Sequence, residues 1–443
     1  MTVGIIGLFV GIILLIFIAY KGFHAVPTSL IAGMVVLLFN GVNVWTGLSK
    51  SWLGGVSTAF TSYYLLFFAS TLFANAMQMT GACEIIARKF VGWFGKKHIL
   101  SVLVIFCFLM CYGGVSFFVI MFAIAPIAFS LFEELNIPRK MIIVITAAGC
   151  GSFVLAAPGS PQIQNVIPTA LGTSLVSAPV MGTFMTVIGT VMCIAATELI
   201  YKKEMSKVEN GLAEGWVPQA NEDFHQRANL PGAAGGFIPL IVVIGIIIVS
   251  SIVNSEINAT LLAILAMCFG VVATLCMSYK YIEGEHLGRQ LKEWLGRSAV
   301  EAAGPALTLG AVIGFGTIVS STAAFAAIVK SLMGMNINIY WKGVISTGTI
   351  AGICGSASAG SQLTMQYLGD YFIHSGCNLA IMHRLIAMAS ITFDALPHAT
   401  GCFLMLSYFG LNHKIAYKYI FLMNVVFPVI VVSIFTAICA VMF

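Results

Sequence analysis

Between Val3 and Tyr20 the chain reads VGIIGLFVGIILLIFIAY, with no charged residue, and runs of this kind recur as far as Phe443. A helix needs about 20 mostly apolar residues to cross a bilayer. In that medium only helices and closed barrels satisfy their own backbone. Barrel strands would show alternating segments of roughly 10 residues, whereas these runs are long and do not alternate. The expected fold class is therefore all-α and integral to a membrane. Charged residues make up 8% of the chain, against about 25% in soluble domains. The first run has no basic residue ahead of it, and its first charge, Lys21, follows it. It reads as a span rather than a cleavable signal peptide. The 11 cysteines include no CxxC and lie in apolar surroundings. All of them read as small buried hydrophobes.

Spans are expected at about 3–20, 25–43, 58–80, 141–176, 181–201, 236–253, 258–279, 300–321, 381–412 and 419–441. Two other stretches, 99–132 and 339–372, have polar, glycine-rich centres: GGVS at 113–116 and GSASAGS at 355–361. Each is long enough for two half-helices that enter and leave on one side. With the N-terminus outside and both stretches treated as such hairpins, only Lys50, Lys330, Lys342 and Arg384 fall outside, and the other 17 of the 21 Lys and Arg fall inside. This is the positive-inside asymmetry, and it would shrink if the hairpins were full spans. The C-terminus then also lies outside. The polar segment 202–235, rich in Glu, Asn and Gly, reads as a linker on the inside.

The parts on either side of that linker resemble each other. TGACEIIARKFVGWFG (80–95) precedes GGVS, and TAAFAAIVKSLMGM (322–335) precedes GSAS. Thr80 to Thr322 and Ser116 to Ser358 are both 242 residues apart. AAPGSPQ (156–162) matches DALPHAT (394–400), with Pro158 and Pro397 offset by 239. Each half holds an odd number of spans, so the two face opposite ways. The expected organisation is a first inverted repeat over 1–201, the linker over 202–235 and a second inverted repeat over 236–443. Segment 80–95, with charges among apolar residues, reads as an interfacial amphipathic helix. Inverted repeats with interrupted helices characterise secondary transporters, and the interruptions point to the binding site.

Irregular backbone at membrane depth is tolerated only inside protein or around a wet cavity. The two hairpin tips and two helix breaks are therefore expected to converge. Pro158 and Pro161 flank Gly159 and Ser160, and Pro397 breaks the second helix. Proline removes a donor and clashes with the preceding turn, so each helix stops there. The N–H groups opening the next half-helix carry partial positive charge and can hold a carboxylate. This matters because no Lys or Arg falls within the four interruptions. Candidate substrate-binding residues are Gly114, Ser116, Gly159, Ser160, Gln162, Gln164 and Asn165 in the first half. In the second half they are Ser356, Ser358, Ser361, Gln362, His398 and Thr400. Their hydroxyls and amides suit a hydroxylated carboxylate or a desolvated cation. The plainer reading of each serine is a bond back to its own helix.

Asp394 and His398 stand four residues apart around the second break. Ionisable groups inside a membrane are costly and mark function, and His titrates nearest neutrality. The pair are candidates for proton coupling; the plainer role for His398 is to satisfy freed backbone. Glu301 and Asp370 are further ionisable candidates that could equally sit at an interface. An intramembrane protease would need a serine dyad or paired aspartates. There is no GxSG around Ser116 or Ser358, and Asp370 in YLGD lacks the first glycine of GxGD. A channel is an alternative that active accumulation would separate from a transporter.

The segments TGACEIIARKF, AAPGSPQIQNVIPTALG and, most specifically, FDALPHATGCFLMLSYFGLNHKIAYK (393–418) resemble the gluconate permease (GntP) family within the ion transporter superfamily. The resemblance in layout covers nearly the whole chain. It implies proton symport of a small organic monocarboxylate such as gluconate or 3-hydroxybutyrate, with Na+ as the alternative coupling ion and no cofactor. It implies a scaffold and a mobile transport domain working as an elevator, a homodimer in a bacterial inner membrane, and no nucleic-acid partner. It carries over to the hairpin tips (Gly114–Phe117, Ser356–Ser361) and the helix breaks (Pro158–Pro161, Leu396–Thr400). Bulky Phe117 and Phe118 after the first tip favour an acid smaller and less polar than a sugar acid.

Fusions after Gly215 test the assigned sides. A fluorescent-protein fusion there should fluoresce and an alkaline phosphatase fusion should be inactive; the opposite pair of results would overturn the topology.

Overall fold

A computed structural model describes residues 2–95, 98–112, 117–151, 153–160, 166–210, 229–252, 259–282 and 287–442. Among these, every regular element is helical. The chain begins with α1 (Thr2–Tyr20), α2 (Ala25–Phe39) and α3 (Val44–Met79). Next come the short α4 (Ala82–Phe94), the pair α5 (Ile99–Tyr112) and α6 (Phe117–Leu135), then α7 (Met141–Cys150) and α8 (Val166–Leu171). They lead to α9 (Pro179–Glu209), α10 (Ala233–Ile252), α11 (Ala259–Ser278) and α12 (Leu287–Ser320). The rest is α13 (Ala323–Met333), α14 (Ile339–Cys354), α15 (Ala357–His374), α16 (Leu379–Ser390), α17 (Thr400–Tyr408) and α18 (His413–Met442). Among the described residues six helices are long and apolar enough to cross a membrane, so the chain is a multi-pass membrane protein.

Both expected breaks occur. The run 141–176 divides into α7 and α8, and 381–412 divides into α16 and α17. α14 and α15 form a packed helical pair turning at Gly355 and Ser356. The matching tip at 113–116, between α5 and α6, lies outside the described residues. So does the linker over 211–228. Three helices run well beyond their expected spans. α3 begins at Val44, before the expected 58, α12 begins at Leu287, before the expected 300, and α9 continues to Glu209 rather than stopping at 201.

The fold contains two compact units, and each draws segments from both sides of the linker. One unit comprises 1–60, 150–193 and 307–443. Its apolar core includes Leu8, Leu15, Val36, Phe315, Phe325 and Ile350. Small residues let its helices approach closely. A Cβ on Gly55 of α3 would lie 2.4 Å from the Gly314 nitrogen of α12, and one on Gly11 of α1 would lie 2.3 Å from Val36 of α2.

The other unit comprises 61–149 and 194–306. There α10 packs on α11, and α4 packs on α6 and α10. α4 has the expected amphipathic character: Cys83 and Ile86 are buried, while Arg88 reaches Glu84 at 2.6 Å. Asn75 donates to Ser298 (3.0 Å) and to Glu301 (2.8 Å), and Arg297 meets the second Glu301 oxygen at 2.6 Å. Glu301 thus ties α3 to α12. Glu204 is buried in a bridge to Lys140 and in a second bridge to Lys207 at 2.9 Å.

The cysteine expectation needs correction. All 11 are free, but Cys268 and Cys276 are exposed and Cys354 and Cys377 are half-buried. The first two lie on α11, an apolar span whose outward side can take any small apolar residue.

Removing one partner of a buried pair leaves a charge unmatched, at a cost of about 3–5 kcal/mol. Glu204→Gln should therefore lower the Tm in detergent by roughly 5 °C or more. The double change Lys140→Met with Glu204→Leu should recover most of that loss.

Candidate functional site

The second break is built against α14. That helix carries Gly348, Gly352 and Gly355 toward the irregular stretch 391–399. A Cβ at these positions would lie 3.1 Å from Thr392 Oγ1, 2.8 Å from Phe393 Cβ and 3.0 Å from Ala399 Cα, respectively. Gly355 also ends α14 in the left-handed region, with φ +62°, where a Cβ is disfavoured. The tip of the α14–α15 pair therefore lies directly on the backbone of the break.

Hydrogen bonds account for that backbone. The Thr400 N–H donates to Gly355 O at 3.1 Å. His398 Nε2 donates to Gly352 O at 2.7 Å. From the start of α18, His413 Nε2 donates to Pro397 O at 2.7 Å and the Tyr417 hydroxyl donates to Ala395 O at 3.1 Å. Partners for a broken helix thus come from the helix pair on one side and α18 on the other.

Two side-chain atoms at this break have no hydrogen-bond partner among the described residues. His398 is 2% exposed. Its Nε2 carries the hydrogen given to Gly352, so Nδ1 of the neutral ring is a bare acceptor, and it is buried without a donor. The Asp394 carboxylate faces the Ala357 N–H that opens α15, where partial positive charge favours an anion. Its Oδ1 is buried and unpartnered.

The first break belongs to the same unit. Gly159 has φ +83° and gives its N–H to Leu175 O at 2.9 Å. Ser160 is fully buried; its N–H donates to Ala157 O at 3.1 Å, and its Oγ has no partner among the described residues. α8 packs against both α15 and α16. From α16, His383 Nδ1 lies 2.8 Å from Thr173 Oγ1. The neighbouring Arg384 is 1% exposed. It donates Nε to Ser177 O (2.6 Å), Nη1 to Ala156 O (3.1 Å) and Nη2 to Leu175 O. Arg384, counted among the outside charges, is not an exposed charge: its guanidinium is buried on backbone carbonyls. An arginine in the apolar run LAIMHRLIAMAS is itself a signal of such a role. His413 and Tyr417 carried no comparable signal.

The remaining candidates divide. Ser356 caps α15, accepting from the Ala359 N–H at 3.4 Å. Ser361 donates to Ser358 O at 3.1 Å, the plainer reading of a membrane serine. Ser358 and Gln362 are exposed, and Thr400 is half-buried at the first turn of α17. Asp370 is exposed, and its carbonyl meets His374 Nδ1 at 2.7 Å. Gly114, Ser116, Gln162, Gln164 and Asn165 lie outside the described residues. Among the described residues no cluster of His, Cys, Asp and Glu could hold a metal ion.

The family model of the GntP family permeases matches residues 3–442. A Bacillus subtilis (strain 168) protein, the uncharacterized transporter YxjC, is 28% identical over 453 residues, covering 93% of this chain and 94% of that protein.

The carbonyls of the second break generate a stability test. Tyr417→Phe removes the hydroxyl that serves Ala395 O, which keeps a weaker donor in Cys402 Sγ at 3.3 Å, and should cost about 1 kcal/mol. His413→Ala should cost at least as much, since it also removes ring packing. Both effects are read as lower Tm in detergent.

Proposed function

Since the chain belongs to the GntP family of permeases, which are transporters, we propose that it imports a small organic monocarboxylate by proton symport. The favoured substrate is a hydroxy acid of the 3-hydroxybutyrate or gluconate type. The observation that carries this reading is the pair of unpartnered buried atoms at the second break, His398 Nδ1 and Asp394 Oδ1. Both can take a proton, and both lie where a hairpin tip meets a broken helix. The partial positive charge at the starts of α15 and α17 would favour the substrate carboxylate. A substrate hydroxyl would donate to His398 Nδ1. Proton uptake by Asp394 or His398 would then accompany loading.

The order of helices supports an inverted repeat over 1–201 and 236–443. A long helix (α3, α12) is followed by a short one (α4, α13), a pair (α5 and α6, α14 and α15), a broken segment and a long last helix (α9, α18). Through Arg384, the second broken segment is in contact with the first. On this reading both helix pairs are re-entrant hairpins. The transport domain moves as an elevator within a homodimer in a bacterial inner membrane, with both termini outside.

Sodium coupling through hydroxyls and freed carbonyls near Ser116 and Ser358 is the alternative. Proteoliposomes with labelled 3-hydroxybutyrate and gluconate separate the two. Accumulation under an inward proton gradient alone, rising as external pH falls, is expected. A requirement for sodium would replace the proton. Asp394→Asn should reduce proton-driven accumulation at least about tenfold while sparing substrate exchange at equal pH, whereas His398→Gln, which also loses the substrate contact, should reduce both. Full accumulation by His398→Gln would sink the coupling role.

A further inference from the structure

We propose that Arg384 is a positioning residue that acts on substrate through Ser160. This rests on the transport reading above. The guanidinium is a planar fork of donors, and its recorded partners are carbonyls on both sides of the first break. Ala156 O precedes Pro158, and Leu175 O and Ser177 O follow α8. The two ends of the irregular stretch are therefore held by one side chain that belongs to the other broken helix.

The link to Ser160 runs through Leu175. Its carbonyl accepts from Arg384 Nη2 and from the Gly159 N–H. Gly159 is in the left-handed region, so its orientation decides where the next residue points. That residue is Ser160, buried, with an Oγ lacking any partner among the described residues. A buried hydroxyl without a partner is unfavourable unless a ligand completes it. The Arg384 stem is wedged as well. A Cβ on Gly182 of α9 would lie 2.6 Å from Pro158 Cγ and 2.9 Å from Arg384 Cδ. Arginine and proline are thus packed under the same glycine, and the fork has little freedom to swing. His383 adds a second hold one residue earlier, on Thr173. Lysine could carry the charge at this position but could not span three carbonyls.

The test is a KM and Vmax comparison in proteoliposomes with labelled 3-hydroxybutyrate and gluconate. Arg384→Lys should raise KM about tenfold, with Vmax within about threefold of the parent. Ser160→Ala should raise KM similarly. In the double variant the effects should not multiply, because the arginine acts through the serine. Lys140→Met, a buried charge in the other unit, is the control: a lower Tm with KM unchanged. If Arg384→Lys lowered Tm and Vmax but left KM alone, or if the two KM effects multiplied, the proposal would be overturned. If the parent transports neither acid, the transport assignment for these acids fails and the positioning role is read separately by hydrogen exchange. Arg384→Lys should then speed exchange in the peptide holding Gly159 and leave α14 unchanged; no change at Gly159 would overturn it.

Discussion

The constraint on which the first unit depends is the interrupted backbone of a helix that bilayer water cannot reach. Breaking a helix at Pro397 frees carbonyls and N–H groups, each costly to bury unpaired. The surrounding structure supplies their partners individually. His413 and Tyr417 serve the carbonyls, Gly355 accepts from Thr400, and His398 returns a hydrogen to Gly352. These contacts require α14 to come within backbone distance of the break. That is why one side of α14 carries glycine at 348, 352 and 355. The break, the glycines and the two residues from α18 form one requirement expressed in three parts of the chain.

The first break meets the same requirement by different chemistry. In place of a histidine and a tyrosine from the following helix, it has an arginine from the opposite half. A guanidinium on carbonyls makes charge-assisted hydrogen bonds, stronger than neutral ones, and three of them share one side chain. The two breaks therefore depend on each other unequally. The second is held by its own hairpin and last helix; the first is held by a residue of the second. Displacing α16 would pull on Ala156, Leu175 and Ser177 together.

The helices themselves were legible because a bilayer leaves few alternatives. Apolar length marks the spans, proline marks the breaks, and a glycine-serine cluster marks the turn between α14 and α15. Charged residues spaced among apolar ones marked α4. Helix ends were less legible. α9 and α12 continue into polar sequence because Glu204 finds Lys140, and Glu301 finds Asn75 and Arg297. Counting basic residues by side treats every Arg as an aqueous charge, which hid the buried role of Arg384. Its partner Ala156 lies 228 residues away, and no local pattern encodes such a contact. Tyr417 and His413 were hidden for a related reason. Either residue type is ordinary near a membrane surface, and its use is fixed by which carbonyl the fold brings to it.

In a protein whose irregular backbone is this well supplied, a buried polar atom left without a partner carries information. Ser361 and Ser356 are occupied by their own helix, as most membrane serines are. Ser160 Oγ, His398 Nδ1 and Asp394 Oδ1 are different: they sit at the breaks and have no hydrogen-bond partner among the described residues. Filling each with an apolar isostere would relieve a desolvation cost, so retaining them is unfavourable to the empty state. That cost would be recovered in a state that presents a donor to the imidazole, a proton to the carboxylate and a polar group to the hydroxyl. On the function proposed above, a hydroxy acid arriving with a proton would offer all three.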